Sequence, residues 1–229
     1  MKLAIIPARG GSKRIPRKNL KDFHGRPIIG YSIDAALAAQ NIDRVIVSTD
    51  DQEIAEVAKR LGAEVPFIRP DHLSDDHATT MDVLHHAVEW ARAEGDLQAL
   101  CCLYATAPMV SAADLDAAFE LFEVDDCEYA FSATEYAFPI QRAFHLQGEA
   151  VTMFEPEHLS TRSQDLTPAY HDAGQFYWCK PQAIAERKPI FAPHSRAYLM
   201  DRKRVQDIDT PEDWEFAEAL HALANEPKQ

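Results

Sequence analysis

The sequence predicts an α/β protein with a mainly parallel, doubly wound sheet, and two observations carry this prediction. Short apolar runs alternate along the chain with amphipathic segments of helical length, which is the order produced by repeated β-α-β units. Strands joined in this way form parallel sheets that helices cover on both faces. Hydrophobic residues make up 46% of the 229 residues, enough for one sizeable core, so we expect a single domain over residues 1–229.

The predicted strands and helices alternate without interruption up to residue 134. In order, they are a strand over 3–6, a helix over 27–39, a strand over 44–48, a helix ending at Gly62, a strand over 64–68, a helix over 80–93, a strand over 100–104, a helix opening at 111–114 and a strand over 129–134. Asp50 and Glu53 have capping-box spacing, so we expect Asp50 to cap the second helix. Ligands of such sheets bind beyond the carboxyl ends of the strands, where the loop after Ile6 lies.

The alternation stops over residues 137–167, where the sequence predicts an inserted β-hairpin. Two short apolar segments flank Gln147 and Gly148, a pair suited to a tight turn. If the hairpin stands away from the sheet, Phe144, Leu146 and other apolar side chains stay exposed, and such a surface usually marks a protein contact. The alternative is a hairpin that folds back on the protein's own core.

The loop that follows the first strand carries the strongest functional signal. Gly10 and Gly11 allow positive φ angles and a close approach of the backbone to a ligand. Backbone N–H groups turned into such a loop, with cations beside them, form a cradle for an anion, and we expect a polyphosphate. The cations of the loop are Arg9, Lys13, Arg14, Arg17 and Lys18. The alternative is a basic turn that is simply solvated.

Charge is distributed unevenly along the chain, so a phosphate site must be local. The chain has 23 basic and 37 acidic residues and a net charge of −14, yet residues 1–26 contain eight basic residues and one acidic residue. Because an acidic protein repels nucleic acid and anionic membranes, we expect neither of them as a partner.

The sequence also favours a cytoplasmic protein. No apolar stretch approaches the ~20 residues that cross a bilayer, and charged residues interrupt the N-terminal apolar run at once, so we expect no signal peptide. The four cysteines include no CxxC pair. We therefore expect reduced thiols.

A second motif, VQDIDTPED at residues 205–213, combines two acids with a helix start. Thr210 and Asp213 have the spacing of a helix N-cap. Asp207 and Asp209 alternate along a strand predicted before this helix, so both carboxylates would point to the same face. Two carboxylates beside a nucleotide phosphate describe a Mg²⁺ site, and the alternative for Asp209 is ordinary solvation at a strand end.

The basic loop matches neither of the common phosphate loops, because it lacks both G-x-x-x-x-G-K-[ST] and G-x-G-x-x-G. Its pattern, A-R-G-G-S-K-x-x-x-x-K-N, resembles the signature loop of the sugar cytidylyltransferases, which make CMP-activated nonulosonic (sialic-type) acids. The resemblance covers nearly the whole chain. It implies a Rossmann-like nucleotide-diphospho-sugar transferase fold, a homodimer whose 137–167 insertion also covers the substrate, and Mg²⁺ at Asp207 and Asp209. The nucleotide-site residues that it implies in the loop are Arg9, Gly10, Gly11, Ser12, Lys18 and Asn19.

The resemblance also implies residues around the nucleotide base. Family members use the stretch after the third predicted strand for the base, which makes Arg69, Ala78 and Thr80 candidates. The alternative for Arg69 is a solvated loop with an Arg–Asp pair.

Two further segments bear on the sugar. Tyr104-Ala-Thr-Ala-Pro108 and the run from His171 to Gln175 depart from sialic acid synthetases and resemble the pseudaminic acid branch of the family. We expect Arg162, and Gln141 from a partner subunit, to meet the sugar carboxylate. The alternative is that these departures only repack a strand and leave broad specificity. The sugar-binding candidates are Tyr104, Gln141, Arg162, His171, Asp172 and Gln175.

The reaction implied is transfer of CMP from CTP to a nine-carbon acidic sugar, pseudaminic acid, with release of pyrophosphate. The catalytic candidates are Arg9 and Lys18, which would hold the triphosphate, and Asp209 as a metal ligand. Arg14 and Arg17 are expected to face solvent and to matter less. The alternatives are synthesis of CMP-sialic or CMP-legionaminic acid and, more distantly, a metal-dependent glycosyltransferase or a non-catalytic nucleotide-binding module.

Overall fold

The computed structural model describes residues 1–75 and 78–224 of the chain. Its strands and helices are β1 (Lys2–Pro7), β2 (Asp22–Phe23), β3 (Arg26–Pro27), α1 (Ile29–Ala38), β4 (Arg44–Ser48), α2 (Gln52–Arg60), α3 (Thr80–Glu94), β5 (Ala99–Leu103), α4 (Ala112–Phe122), β6 (Tyr129–Glu135), β7 (Phe144–Gln147), β8 (Ala150–Met153), β9 (Tyr170–Cys179), α5 (Pro181–Ala185), β10 (Ser195–Leu199) and α6 (Pro211–Ala224). Residues 76, 77 and 225–229 of the predicted domain lie outside the described residues.

The central sheet has six strands in the order β10-β6-β9-β5-β1-β4. The pairs β1–β4, β1–β5 and β6–β10 are parallel, whereas β9 runs antiparallel to both β5 and β6. The predicted, mainly parallel sheet is therefore confirmed, with β9 as the exception. Glu135, which ends β6, pairs with Tyr170, which begins β9. The chain thus leaves the sheet and returns to it at the same end of the strands, so β6 and β9 are connected without a helical crossover.

Helices cover both faces of the sheet, as predicted. Cys101 and Cys102 are adjacent on β5 and lie in two different hydrophobic clusters, one on each face. Ile33 of α1 and Leu115 of α4 belong to the first cluster, and Leu84 of α3 belongs to the second. Strands buried on both faces read as continuous apolar runs. Among the described residues, no helix is both long and apolar enough to cross a membrane.

A third, smaller cluster joins two segments that are distant in the sequence. Ile15, in the loop after β1, and Ile208, in the segment before α6, are both buried in it. The cluster also contains Phe23, Ile28, Trp214 and Ala217. Because buried apolar area stabilises by roughly 25 cal/mol per Å², this cluster holds the basic loop beside the acidic motif.

The predicted strand over 64–68 is wrong. Glu64 forms an isolated parallel bridge with Ile46, in which its N–H donates to Val45 and its carbonyl accepts from Val47. The next donor on this side of the chain would be residue 66, which is a proline and has no N–H. The ladder therefore ends after one residue, although the segment is apolar.

Asp51, and not Asp50, caps α2. The Asp51 carboxylate accepts the N–H of Glu53 at 2.8 Å. The helix begins at Gln52, one residue later than predicted, so the predicted cap is wrong by one position. The Asp50 carboxylate is left for another partner, and its Oδ1 accepts the N–H of Gly10 at 3.0 Å.

Strands β7 and β8 form the predicted hairpin, in which Phe144 pairs with Met153. In this hairpin Phe144 is 54% exposed, Leu146 62% and Val151 61%, so its apolar side chains do not pack into the core. The role of residues 137–167 in dimer formation stays a prediction.

Candidate functional site

A cleft of about 580 Å³ opens where β1 runs into the basic loop. It lies at the carboxyl ends of the parallel strands, where ligands of such sheets are expected. The cleft brings together residues of the basic loop, of the segment after β5 and of the acidic motif. Its lining residues are Pro7, Arg9, Ser12, Lys13, Arg14, Lys18, Asn19, Thr80, Tyr104, Ala105, Thr106 and Asp209.

A second hollow of about 280 Å³ adjoins the cleft and shares Pro7, Arg9 and Thr80 with it. The predicted base-site residues Arg69 and Ala78 line this hollow. The two hollows therefore adjoin at Arg9, with the basic loop on one side and the predicted base site on the other.

Arg69 is buried at the edge of the second hollow, with 3% of its surface exposed. Its Nε donates to Ser74 Oγ at 3.1 Å, and its Nη2 lies 3.7 Å from Asp50 Oδ1. Burial lowers the pKa of the guanidinium, and the Asp50 charge opposes this change. Arg69 forms an Arg–Asp pair, as the alternative for it proposed, but the pair is not a solvated one. A buried cationic donor beside a hollow is suited to the acceptor atoms of a ligand.

The backbone at Gly10 lies so close to the Asp51 side chain that a Cβ does not fit there. A Cβ at this position would lie 2.7 Å from Asp51 Oδ2 and 2.9 Å from Asp51 Cβ. At Gly11 no heavy atom lies within 4 Å of the corresponding position. The first glycine therefore lets the loop dock on the start of α2, while the second faces open space. Neither lines the cleft with its own atoms.

Lys18 and Arg14 connect the basic loop to the acidic motif. Lys18 Nζ donates to the carbonyl of Ile208 at 2.6 Å and lies 3.4 Å from Asp209 Oδ1. Arg14 Nη2 lies 2.8 Å from Asp209 Oδ2. Arg14 is 64% exposed, as expected for a residue facing solvent, but it also lines the cleft and contacts a predicted metal ligand. Sequence reasoning missed this role, because the contact depends on the packing of Ile15 with Ile208, which is distant in the sequence.

Contacts of Asn19 and Arg17 stabilise the basic loop. Asn19 is 7% exposed and donates through Nδ2 to the carbonyl of Arg9 at 2.9 Å. Arg17 adopts a left-handed conformation with φ 54° and forms a 2.5 Å ion pair with Glu53 on α2. Arg17 is not among the residues that line the cleft, and its minor role stays a prediction.

The acidic motif is not a strand, so the predicted alternation of Asp207 and Asp209 along a strand is wrong. The chain from residue 205 to residue 209 forms no ladder. The predicted helix start is confirmed. Thr210 donates both its N–H and its hydroxyl to Asp213 Oδ2, at 2.7 and 2.8 Å. The same carboxylate accepts the N–H of Asp209 at 3.1 Å, which shapes the turn that carries both acids.

The two predicted metal ligands interact electrostatically. Desolvation raises the pKa of Asp207, and the negative charge of Asp209 raises it further. Carboxylate oxygens are the donors that hard divalent cations prefer, although among the described residues no group of three or more metal-type side chains is found. The Mg²⁺ assignment stays a prediction.

A β-bulge in β9 lies beside Tyr104, whose N–H donates to the carbonyl of Gln175 at 2.9 Å. Ser132 Oγ accepts the N–H groups of both Gln175 and Phe176, at 3.2 and 3.1 Å, so one residue of β6 faces several of β9. Gly174 has φ 61°, which an L side chain rarely adopts. Bulges re-aim side chains and are frequent beside active sites.

The bulge brings Asp172 into contact with Tyr177, whose ring lies beside that of Tyr104. Tyr177 donates its hydroxyl to Asp172 Oδ2 at 2.5 Å, and its ring lies 5.8 Å from that of Tyr104. Tyr104 lines the cleft, and its hydroxyl is 3.5 Å from Thr80 Oγ1. Burial raises the pKa of Tyr104, so its hydroxyl stays protonated and acts as a neutral hydrogen-bonding group. Tyr177 was not predicted from the sequence; its place two residues after Gln175 was the only signal.

Three predicted sugar residues on β9 do not line the cleft themselves. Gln175 is 1% exposed, and its Nε2 donates to the carbonyl of Ala173 at 2.8 Å and to that of Gln206 at 3.4 Å. Asp172 bonds Tyr177, and His171 Nδ1 contacts the Asp172 carbonyl at 2.9 Å. These assignments stay predictions.

Gln141 and Arg162 lie on the insertion and are not brought to the cleft of their own chain. Gln141 Nε2 donates to the carbonyl of Thr167 at 2.9 Å. Arg162 Nε contacts Asp165 Oδ2 at 2.7 Å, and its side chain is 72% exposed. Both residues stay predictions for the sugar site.

Comparison with known protein families gives a match over residues 3–228 to the family model described as Cytidylyltransferase. The chain is 48% identical to a pseudaminic acid cytidylyltransferase from Campylobacter jejuni, over 98% of this chain and 97% of that protein. It is 31% identical to a CMP-N,N'-diacetyllegionaminic acid synthase from Legionella pneumophila, over 98% of this chain and 97% of that protein.

Solved structures share the fold. The structure titled CMP:2-keto-3-deoxy-manno-octonic acid synthetase complexed with CTP superposes with a TM-score of 0.71 at 19% identity, covering 97% of this chain and 99% of that one. A 4-diphosphocytidyl-2C-methyl-D-erythritol synthase from Anaerococcus prevotii gives a TM-score of 0.63 at 12% identity, covering 96% of this chain and 98% of that one.

Proposed function

Because the chain belongs to the cytidylyltransferase family, we propose that it transfers CMP from CTP to the anomeric hydroxyl of pseudaminic acid and releases pyrophosphate. The observation that carries this proposal is the cleft itself, in which a glycine-containing basic loop faces an acidic motif at the carboxyl ends of the strands. The sugar follows from the 48% identity, over nearly the full length of both chains, to a pseudaminic acid cytidylyltransferase. The legionaminic acid relative is less similar, at 31% identity.

The triphosphate is proposed to lie along the basic loop. Arg9, Ser12 and Lys18 line the cleft and supply two cations and a hydroxyl. Charge-assisted hydrogen bonds from such groups are stronger than neutral ones. Arg14 joins this set, because its guanidinium reaches the same part of the cleft. The cytosine base would then occupy the second hollow, beside Arg69.

Asp207 and Asp209 are proposed to hold Mg²⁺. Their mutual repulsion supports this, because a bound cation relieves it. When bound there, the ion would neutralise phosphate charge and lower the pKa of the attacking hydroxyl.

The transfer is a displacement at the α-phosphorus of CTP. The anomeric oxygen forms a bond to that phosphorus, the bond to the bridging oxygen of the β-phosphate breaks, and pyrophosphate and one proton leave. Arg9 and Lys18 would stabilise the negative charge that develops on the leaving group, because fixed cations need no reorganisation during the reaction.

The sugar is proposed to bind against Tyr104 and Thr80. The Tyr177–Asp172 pair beneath would fix the Tyr104 ring and hydroxyl. We further propose that residues 137–167 form a dimer contact that covers the substrate and brings Gln141 and Arg162 of the partner subunit to the sugar carboxylate. The exposed apolar side chains of the hairpin support this assignment.

A cytoplasmic location is part of the proposal. All four cysteines are buried free thiols, which suits a reducing compartment.

Product analysis tests the proposal. Purified protein, CTP, Mg²⁺ and pseudaminic acid should give equal amounts of CMP-pseudaminic acid and pyrophosphate, measured by mass spectrometry and a pyrophosphate assay. A glycosyltransferase would release free CMP from a CMP-sugar and no pyrophosphate. Tight CTP binding without turnover would instead identify a non-catalytic nucleotide-binding module.

A further inference from the structure

The acidic motif lacks the support that a strand would give it. A short helical turn, Arg202–Arg204, precedes the motif, and residues 205–209 then cross to α6 without a ladder. Backbone pairing therefore does not determine where the two carboxylates lie. The burial of Ile208 holds the middle of this segment, and side-chain contacts hold its two ends.

At the C-terminal end, the contact is local. Asp213 caps α6 and accepts the N–H groups of Asp209 and Thr210. Gln206 Nε2 also donates to Asp213 Oδ1 at 3.1 Å. These bonds shape the turn, but they join the segment only to its own following helix.

At the N-terminal end, Arg204 ties the segment to a different part of the fold. Its Nη1 donates to Asp114 Oδ1 at 3.0 Å, and its Nη2 donates to Asp114 Oδ2 and, at 2.8 Å, to the carbonyl of Met109. Asp114 is 3% exposed and lies in the first turn of α4. The guanidinium thus binds a buried carboxylate with both nitrogens, which is the geometry that fixes orientation as well as distance.

Asp114 is itself held from several sides. It accepts the N–H and the hydroxyl of Ser111, at 2.8 and 2.6 Å, and the hydroxyl of Tyr198 at 3.0 Å. The hydrogen bonds and charge of Arg204 and the bonds from Ser111 keep the pKa of Asp114 below its ordinary value despite burial. The anchor is therefore a charged group in a fixed position on the core of the protein.

We infer that Arg204 is a positioning residue for the divalent cation: together with the burial of Ile208, its bidentate pair with Asp114 fixes the place of Asp207 and Asp209 relative to the basic loop. The inference rests on the proposed function of the acidic pair. Arg204 does not line the cleft, and it lies three residues before Asp207, the first of the two carboxylates.

Metal binding separates this role from a purely structural one. Mn²⁺ binding to Arg204→Met would be measured by calorimetry in the presence of an unreactive CTP analogue, together with the affinity for the analogue alone and the melting temperature. Lys203→Met is the matched control, because it removes an exposed cation from the same turn.

We expect Mn²⁺ affinity to fall about tenfold or more in Arg204→Met, as happens when groups that orient metal ligands are lost, while affinity for the analogue alone changes less than about twofold. Lys203→Met should match the wild type in both. Wild-type Mn²⁺ affinity in Arg204→Met, with or without a lower melting temperature, would overturn the inference. If the wild type itself binds no Mn²⁺ with the analogue, the proposed metal site fails instead.

A milder variant keeps the inference testable if Arg204→Met does not fold. Tyr198→Phe removes one of the hydrogen bonds to Asp114 and leaves the Arg204 pair in place. Arg204→Lys keeps the charge but replaces the planar fork, which binds the carboxylate through two nitrogens, with a single nitrogen. We expect Mn²⁺ affinity to fall in the order wild type, Tyr198→Phe, Arg204→Lys, and equal affinities would overturn the inference.

Discussion

Arg14 and Asp209 are in direct contact, with Nη2 and Oδ2 2.8 Å apart. Their neighbours Ile15 and Ile208 are buried in one hydrophobic cluster, so apolar packing brings the two polar motifs together. The basic loop and the acidic motif are therefore two sides of one site. In the proposed function, a triphosphate with a divalent cation would bind beside this contact.

Removing either carboxylate should strongly reduce turnover while leaving the fold intact. Asp207→Asn or Asp209→Asn takes one charged ligand from the proposed cation, and we expect kcat to fall by about 100-fold or more. The melting temperature should change little, because the Asp209 pairs are partly exposed and such pairs contribute about 0–1 kcal/mol. Near wild-type turnover at limiting Mg²⁺ in either variant would show that the carboxylates do not serve a metal.

Four of the five arginine and lysine side chains of the basic loop should differ in importance. Arg9→Ala and Lys18→Ala should lower kcat/KM by about 100-fold or more, because both line the cleft where the phosphates are proposed to lie. Arg14→Ala should lower it by about tenfold, whereas Arg17→Ala, whose partner is Glu53, should stay within about twofold. Equal losses in all four variants would mean that only general charge attracts CTP.

The two glycines of the loop should respond differently to the same added methyl group. Gly10→Ala forces the new Cβ against Asp51, so we expect a loss of about 1–3 kcal/mol in the free energy of unfolding. Gly11→Ala meets open space and serves as the matched control for stability. Denaturant unfolding of both variants would check this, and equal stabilities would contradict the docking of the loop on α2.

Tyr177→Phe should affect the sugar and not the nucleotide. It removes the hydroxyl that bonds Asp172 while keeping the ring beside Tyr104, so we expect KM for the sugar to rise by about tenfold with KM for CTP unchanged. Tyr129→Phe is the control, since it removes a buried hydroxyl that bonds the Lys188 carbonyl at the other end of the sheet. Unchanged KM for the sugar in Tyr177→Phe would leave Tyr104 without the proposed support.

Local sequence signals predicted the elements that depend on local chemistry. The alternation of apolar runs and amphipathic segments predicted the sheet and its covering helices. The Ser111–Asp114 and Thr210–Asp213 spacings predicted two helix starts, and the structure confirms both. The family resemblance suggested by the basic loop is also confirmed.

Features that depend on distant contacts were not predicted. The antiparallel direction of β9 follows from the path of the insertion, which no periodicity encodes. The contact of Arg14 with Asp209 arises because Ile15 and Ile208 pack together, and neither residue marks the other in the sequence. Pro66 was evidence in the sequence against the predicted strand over 64–68, because a proline cannot donate a hydrogen bond to a ladder.

The central claim is that this site makes CMP-pseudaminic acid, and a comparison of acceptor sugars tests it most directly. The measurement is kcat/KM for pyrophosphate release with saturating CTP and Mg²⁺, for pseudaminic, sialic and legionaminic acids in turn. We expect pseudaminic acid to be preferred by about 100-fold or more, because a site built to hydrogen-bond one isomer leaves its own polar groups unpaired with another. Turnover of sialic or legionaminic acid at an equal or higher kcat/KM would contradict the claim.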